Sequence, residues 1–213
     1  MQMIQRSYSA WLVPFAFSLL GLGLGTAKAI AHTTTLPFEA RYNIRTTLRP
    51  ITLDILEGTD VGESADAPYG LTNLMGLDYI RIDPETAAWI INTNPATFGL
   101  ENSPIGFFEL KGSGSDRIFG TTSGTFLFNF EEGIVTGSST INITGGDGQF
   151  RSAQGILGLF INNTINPDPT APNEVLISGS FHVPEPVPEP TTSGTLIGAG
   201  AIGILFLRHR RRR

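Results

Sequence analysis

Near the end of the chain, Val175, Ile177, Gly179, Phe181 and Val183 alternate with Leu176, Ser178, Ser180 and His182. Alternation of this kind places one apolar face along an extended strand. Phe126, Phe128 and Phe130 alternate with Leu127 and Asn129 in the same way, setting three aromatics on one face. Glu131-Glu132-Gly133 then predicts a turn into a strand over Ile134–Thr144, with Ile141 and Ile143 on a shared face. Gly145-Gly146-Asp147-Gly148 predicts the next turn, and Gly155–Ile161 a further strand. Phe38–Ile44, Ile51–Leu56 and Leu77–Ile82 read as strands upstream. One short helix is predicted over Asp83–Trp89, because Asp83 can cap it and Pro84 suits its first turn. Two loops are predicted: the acidic stretch Gly58–Tyr69, and Asn163–Asn173 with its prolines at 167, 169 and 172. The pattern as a whole predicts an all-β domain, an antiparallel barrel or sandwich of about eight to ten strands.

The two ends break this pattern and are set apart from the fold. Arg6 precedes Trp11–Gly25, an uncharged apolar run, and Ala27-Lys28-Ala29 and Ala29-Ile30-Ala31 follow it. A basic start, an apolar run and small-residue exits make a secretory signal segment over residues 1–31, cleaved by signal peptidase after Ala29 or Ala31. At the other end, Pro184-Glu185-Pro186 and Pro188-Glu189-Pro190 cannot continue a strand or helix and favour an extended polyproline linker. Thr195–Leu207 carries no charge and predicts a short transmembrane helix, about 20 Å long against a hydrocarbon layer of about 30 Å. Arg208, His209 and Arg210–Arg213 close the chain and would stay on the cytoplasmic side. Both ends therefore direct the domain between them, residues 32–183, out of the cytoplasm.

The tail, residues 184–213, resembles the PEP-CTERM sorting signal of Gram-negative bacteria: Pro-Glu-Pro, a glycine-rich apolar segment, then a terminal basic cluster. The matching positions are Pro188, Glu189 and Pro190, then Thr195–Leu207, then Arg208, Arg210, Arg211, Arg212 and Arg213. The resemblance implies processing by an exosortase, passage through the inner membrane, and delivery to the cell surface or an exopolysaccharide matrix. An envelope or polysaccharide partner is the corresponding expectation.

Charge and composition narrow the rest. Residues 32–183 hold 7 Lys and Arg against 17 Asp and Glu, a net charge of −10, whereas the whole chain carries −5. So acidic a domain is repelled by phosphates, and no nucleic-acid partner is expected. The chain has no cysteine, which removes disulfides, thiol catalysis and thiolate metal sites. His32, His182 and His209 are too scattered to share a metal, and His182 falls on the polar face of its strand. No Gly-x-Ser-x-Gly elbow supports a Ser-His-Asp triad, and Gly112–Arg117 lacks the remaining residues of a phosphate loop and reads as a turn. Asp60, Glu63 and Asp66 lack the alternate spacing of a calcium loop and read as a solvated acidic loop. No catalytic residue, metal site or cofactor is expected.

The segment 124–160 resembles a hairpin unit of allene oxide cyclase-like and dirigent-like barrels, through Gly145, Gly146, Gly148 and Phe150. Two readings of the domain stand at this point. It is a non-catalytic envelope or matrix component, or, as that resemblance implies, a barrel that binds or isomerises a small apolar ligand. Phe126, Phe128 and Phe130 would fill the core in the first and line a pocket in the second.

Overall fold

The computed structural model of the chain describes residues 32–166, 168 and 171–185. Nine strands follow one another: β1 (Thr33–Pro50), β2 (Ile55–Glu63), β3 (Asn73–Asp83), β4 (Ala88–Asn92), β5 (Phe107–Lys111), β6 (Arg117–Asn129), β7 (Ile134–Asp147), β8 (Gln154–Thr164) and β9 (Asn173–Pro184). Every pairing is antiparallel. β1 pairs with both β2 and β9, and the ladder runs on through β8, β7 and β6. β4 and β5 both lie between β6 and β3, and β3 pairs back onto β2. The sheet therefore closes into a barrel, which removes unpaired edges.

β4 and β5 share one position in the ring. β4 pairs with the 79–83 half of β3, and β5 with the 73–77 half. The chain leaves the wall after β4 and returns at Gly106, whose amide donates to the Thr93 carbonyl at 2.7 Å. The excursion carries a 3-10 turn, Pro95–Phe98, started by the Asn94 side chain accepting from the Ala96 amide at 3.1 Å. It covers Tyr79 on the outer face of β3, where Ile55, Tyr79 and Phe98 form a small second core. The ring thus has eight positions, a size whose interior is either filled by side chains or holds one small ligand.

One end of the interior is filled. Phe38, Tyr42, Leu110, Ile118, Phe150 and Phe181 are buried there together. The Phe150 and Phe181 rings meet edge to face at 5.8 Å, and Tyr69 packs against both at 6.3 and 6.2 Å. Such contacts add to the burial of the rings themselves. Tyr42 Oη donates to the Leu71 carbonyl, tying β1 to the segment between β2 and β3.

Several local expectations are corrected. Asp83–Trp89 is no helix: residues 84–87 turn β3 into β4, and Trp89 lies within β4. Asp83 does cap, but it caps this turn, accepting from the Glu85 amide at 2.9 Å and the Thr86 hydroxyl at 2.7 Å. A two-turn helix has too few internal hydrogen bonds to displace strand pairing on both sides. Gly58–Tyr69 is not a loop throughout, since β2 runs to Glu63. Its acidic residues resembled a solvated segment because alternate positions on a strand can be polar on one face and small on the other. The turn expected at Gly145–Gly148 begins later, as β7 continues to Asp147 before the 3-10 turn Gly148–Phe150. Ile51–Asp54 forms a bend, so only the end of the expected Ile51–Leu56 strand belongs to β2. His182 is exposed as expected, with Nδ1 2.8 Å from the Thr35 hydroxyl.

Candidate functional site

The other end of the barrel is hollow. A cavity of about 310 Å³ lies among the inward side chains of its strands. Trp89, Ile91, Phe126, Phe128, Val135, Leu159, Ile161 and Val175 supply most of the apolar wall, and Ile165, Asn166, Asp168 and Ala171 bound it between β8 and β9. Phe126 and Phe128 reach the wall because β6 alternates inward and outward, as their spacing predicts. Phe130 does not join them. β6 ends at Asn129, and Phe130 sits in the following turn, 69% exposed, with its ring stacked on Phe128 at 6.0 Å. Phe128 also packs against Trp89 at 4.5 Å, so the aromatics form a shelf.

The polar part of the cavity comes from β2 and β3. On their inner face the register sets Gly58 opposite Asp78 and Asp60 opposite Gly76. The two carboxylates thus occupy diagonal corners and the two glycines the others. Gly58 is needed for clearance, and Gly76 leaves room beside Asp60. A Cβ at 58 would lie 2.5 Å from Asp78 Oδ1, and one at 76 would lie 3.4 Å from Asp60 Oδ2.

The two carboxylates have different surroundings. Asp60 accepts a hydrogen bond from the Thr46 hydroxyl on β1. Asp78 is only 9% exposed, and its Oδ1 has no hydrogen-bond partner. Burial pushes the Asp78 carboxyl well above the usual carboxylate range, and the neighbouring Asp60 charge pushes it further. Burial raises Asp60 as well, opposed by the Thr46 hydrogen bond, which favours the charged form. The pair therefore keeps a proton where free carboxylates would have lost both, and the two titrate as a unit. A neutral carboxyl in an apolar cavity can donate as well as accept a hydrogen bond.

Thr93, just past the end of β4, and Thr122 on β6 also line the cavity, and the Thr122 amide donates to Thr93 Oγ1 at 3.1 Å. Thr122 Oγ1 has no partner. Among the described residues no group of three or more His, Cys, Asp or Glu is placed to hold a metal ion.

Asp60 corrects the sequence reading, which placed it with Glu63 and Asp66 in a solvated loop. Glu63 is exposed on the outer face, whereas Asp60 points inward. Asp78 was not singled out at all. Its signal lay in period-two spacing: Leu74, Gly76, Asp78 and Ile80 alternate in the sequence, so Asp78 falls on an apolar face. The sorting positions Pro188, Glu189, Pro190, Arg208, Arg210, Arg211, Arg212 and Arg213, and the cleavage positions Ala29 and Ala31, lie outside the described residues. The predicted helix over Thr195–Leu207 lies outside them too.

The fold and cavity define an antiparallel β-barrel with an acidic, partly open interior. The tail defines its handling: residues 186–212 match the PEP-CTERM protein-sorting motif. The chain is thus an exported protein sorted by an exosortase, anchored in the membrane in transit. No curated protein matches the chain.

Proposed function

We propose that the exported barrel is a binding protein that holds a small, largely apolar molecule in its cavity, presented at the cell surface or in the surrounding matrix. The observation that carries this reading is the cavity itself. Its volume of about 310 Å³ falls at the lower end of the usual range for small-molecule sites, and its wall is mostly aliphatic and aromatic. An interior meant only as a core would be packed along its whole length, as it is at the Tyr42–Phe181 end. The signal segment and sorting tail supply the route, with residues 1–31 removed after Ala29 or Ala31 and Thr195–Leu207 acting as a transient membrane stop before exosortase processing.

The test is titration with a neutral aromatic probe, N-phenyl-1-naphthylamine, whose fluorescence rises on leaving water. Saturable binding that is lost in the cavity-filling variant Val135→Phe supports the reading. Binding that does not saturate, or that Val135→Phe leaves unchanged, overturns it.

A further inference from the structure

We propose that the molecule held in the cavity is an amphipathic amine, with its protonated nitrogen between Asp60 and Asp78 and its apolar body against Trp89, Phe126 and Phe128. This rests on the cavity reading above and adds the chemical class of the ligand.

The first support is the sign of the charge. The titratable residues lining the cavity are Asp60, Asp78 and Asp168, with no Lys, Arg or His among the lining side chains. Asp60 faces the cavity from β2 and Asp78 from β3, Thr46 reaches Asp60 from β1, and Asp168 lines it from the segment between β8 and β9. The walls supplied by β4 through β9 contribute no ionisable group. Nothing built into the lining therefore offsets the two inner carboxylates, and a fatty acid or other anion entering here would meet like charge.

The second support is the balance of hydrogen-bonding groups. Asp78 Oδ1 is buried and without a partner, and so is Thr122 Oγ1. The Thr46 hydroxyl is already spent on Asp60. An unpaired buried acceptor costs stability that an incoming donor recovers. An alkylammonium brings three N–H donors and no acceptor, which is the complement of an acceptor-rich patch. A pair of carboxylates sharing one proton carries a single negative charge, so a monocationic ligand leaves the filled cavity electrically neutral.

The third support is that space is kept for this arrangement. Gly58 leaves Asp78 unobstructed where even a Cβ would crowd its carboxylate at 2.5 Å, and Gly76 keeps the corner beside Asp60 open. Trp89 and Phe128, packed together at 4.5 Å, line the cavity and offer aromatic surface to the apolar body of the amine. A bare divalent ion fits less well, since calcium takes six to eight oxygens and two carboxylates supply too few.

The experiment uses the full chain, produced with its own signals and recovered as the cell processes it, titrated calorimetrically with octylamine, octanol and octanoate. At pH 7.5 octylamine should bind at least about tenfold more tightly than octanol, the ratio expected for one charge-assisted hydrogen bond, and octanoate least of all. Asp60→Asn and Asp78→Asn should each weaken octylamine more than they weaken octanol. Octylamine affinity should rise with pH above 4 as the pair ionises, then fall as the amine loses its own proton near pH 10. Equal affinity for octanol and octylamine, or octylamine binding that both variants leave unchanged, overturns the amine assignment while the cavity reading stands. Failure of all three compounds to bind overturns both. Should one variant not fold, the other and the wild-type ratio of octylamine to octanol still decide.

Discussion

Replacing Asp78 with asparagine should make this protein more stable at alkaline pH, although a native side chain is lost. Asp78 is 9% exposed, has one carboxylate oxygen without a partner, and shares the inner face of β2 and β3 with Asp60. In the unfolded chain its pKa returns to the ordinary 3.8, whereas folding raises it well above that value by burial first and by the Asp60 charge second. Between those two values the folded state binds more protons than the unfolded state. The Asp78 contribution to stability is therefore greatest below pH 3.8 and falls as pH rises through this window, by up to about 1.4 kcal/mol per pH unit for each proton. Asp60, also raised, acts in the same direction. Two other carboxylates act in the opposite direction. Glu57 is lowered by its hydrogen bond to Arg49, and Asp83 by the Thr86 hydroxyl and Glu85 amide. Their contributions are present above their ordinary values of 4.5 and 3.8 and are lost as pH falls below them, so they do not oppose the decline above pH 5.

Asparagine keeps the shape of Asp78, carries no charge at any pH, and offers an N–H toward Asp60. The two proteins should be similar near pH 4 and diverge above it. The gap should widen in favour of Asp78→Asn for as long as the folded wild type holds a proton that the unfolded chain has lost, by up to about 1.4 kcal/mol per pH unit. Urea unfolding followed by tryptophan fluorescence measures this, since Trp89 is the one tryptophan among the described residues. Wild-type stability that is flat or rising from pH 5 to 8, or an Asp78→Asn protein no more stable than wild type at pH 8, refutes the reasoning.

Three further outcomes follow from other parts of the chain. Gly120→Ala places a Cβ 1.8 Å from the Asn142 carbonyl oxygen, beside the irregular register between β6 and β7, and should cost about 1–3 kcal/mol in urea unfolding. Tyr42→Phe removes the donor to the buried Leu71 carbonyl and should cost about 1–3 kcal/mol, with little change in cavity binding because Tyr42 lies at the filled end. Deleting Pro188–Arg213 should prevent delivery to the wild-type location, read by cell fractionation; unchanged location would show that the matched tail is not what sorts the protein.

Much of the barrel was legible in the chain because alternation is a local property. Val175 to Val183 and Phe126 to Phe128 announced their inward faces through period two alone, and both strands form where that pattern lies. Asp83 announced a cap, but a cap suits a turn as well as a helix, and only the pairing of β3 with β4 selects between them. The tail was legible for a different reason. A sorting signal is read as a linear order of proline, apolar and basic segments, so it needs no fold to be recognised.

The cavity and its acidic pair depended on tertiary structure. The sequence by itself sets Asp60 and Asp78 eighteen positions apart, each two residues from a glycine, and reads Asp60 as part of a solvated loop. Which glycine faces which carboxylate is set by the register of β2 against β3, and a slip of one residue would turn every inner side chain outward. Closure of the ring then buries the pair, and burial with mutual repulsion is what holds a proton there. Charge type was written in the chain; the company each charge keeps, and so its chemistry, was decided by the closed barrel.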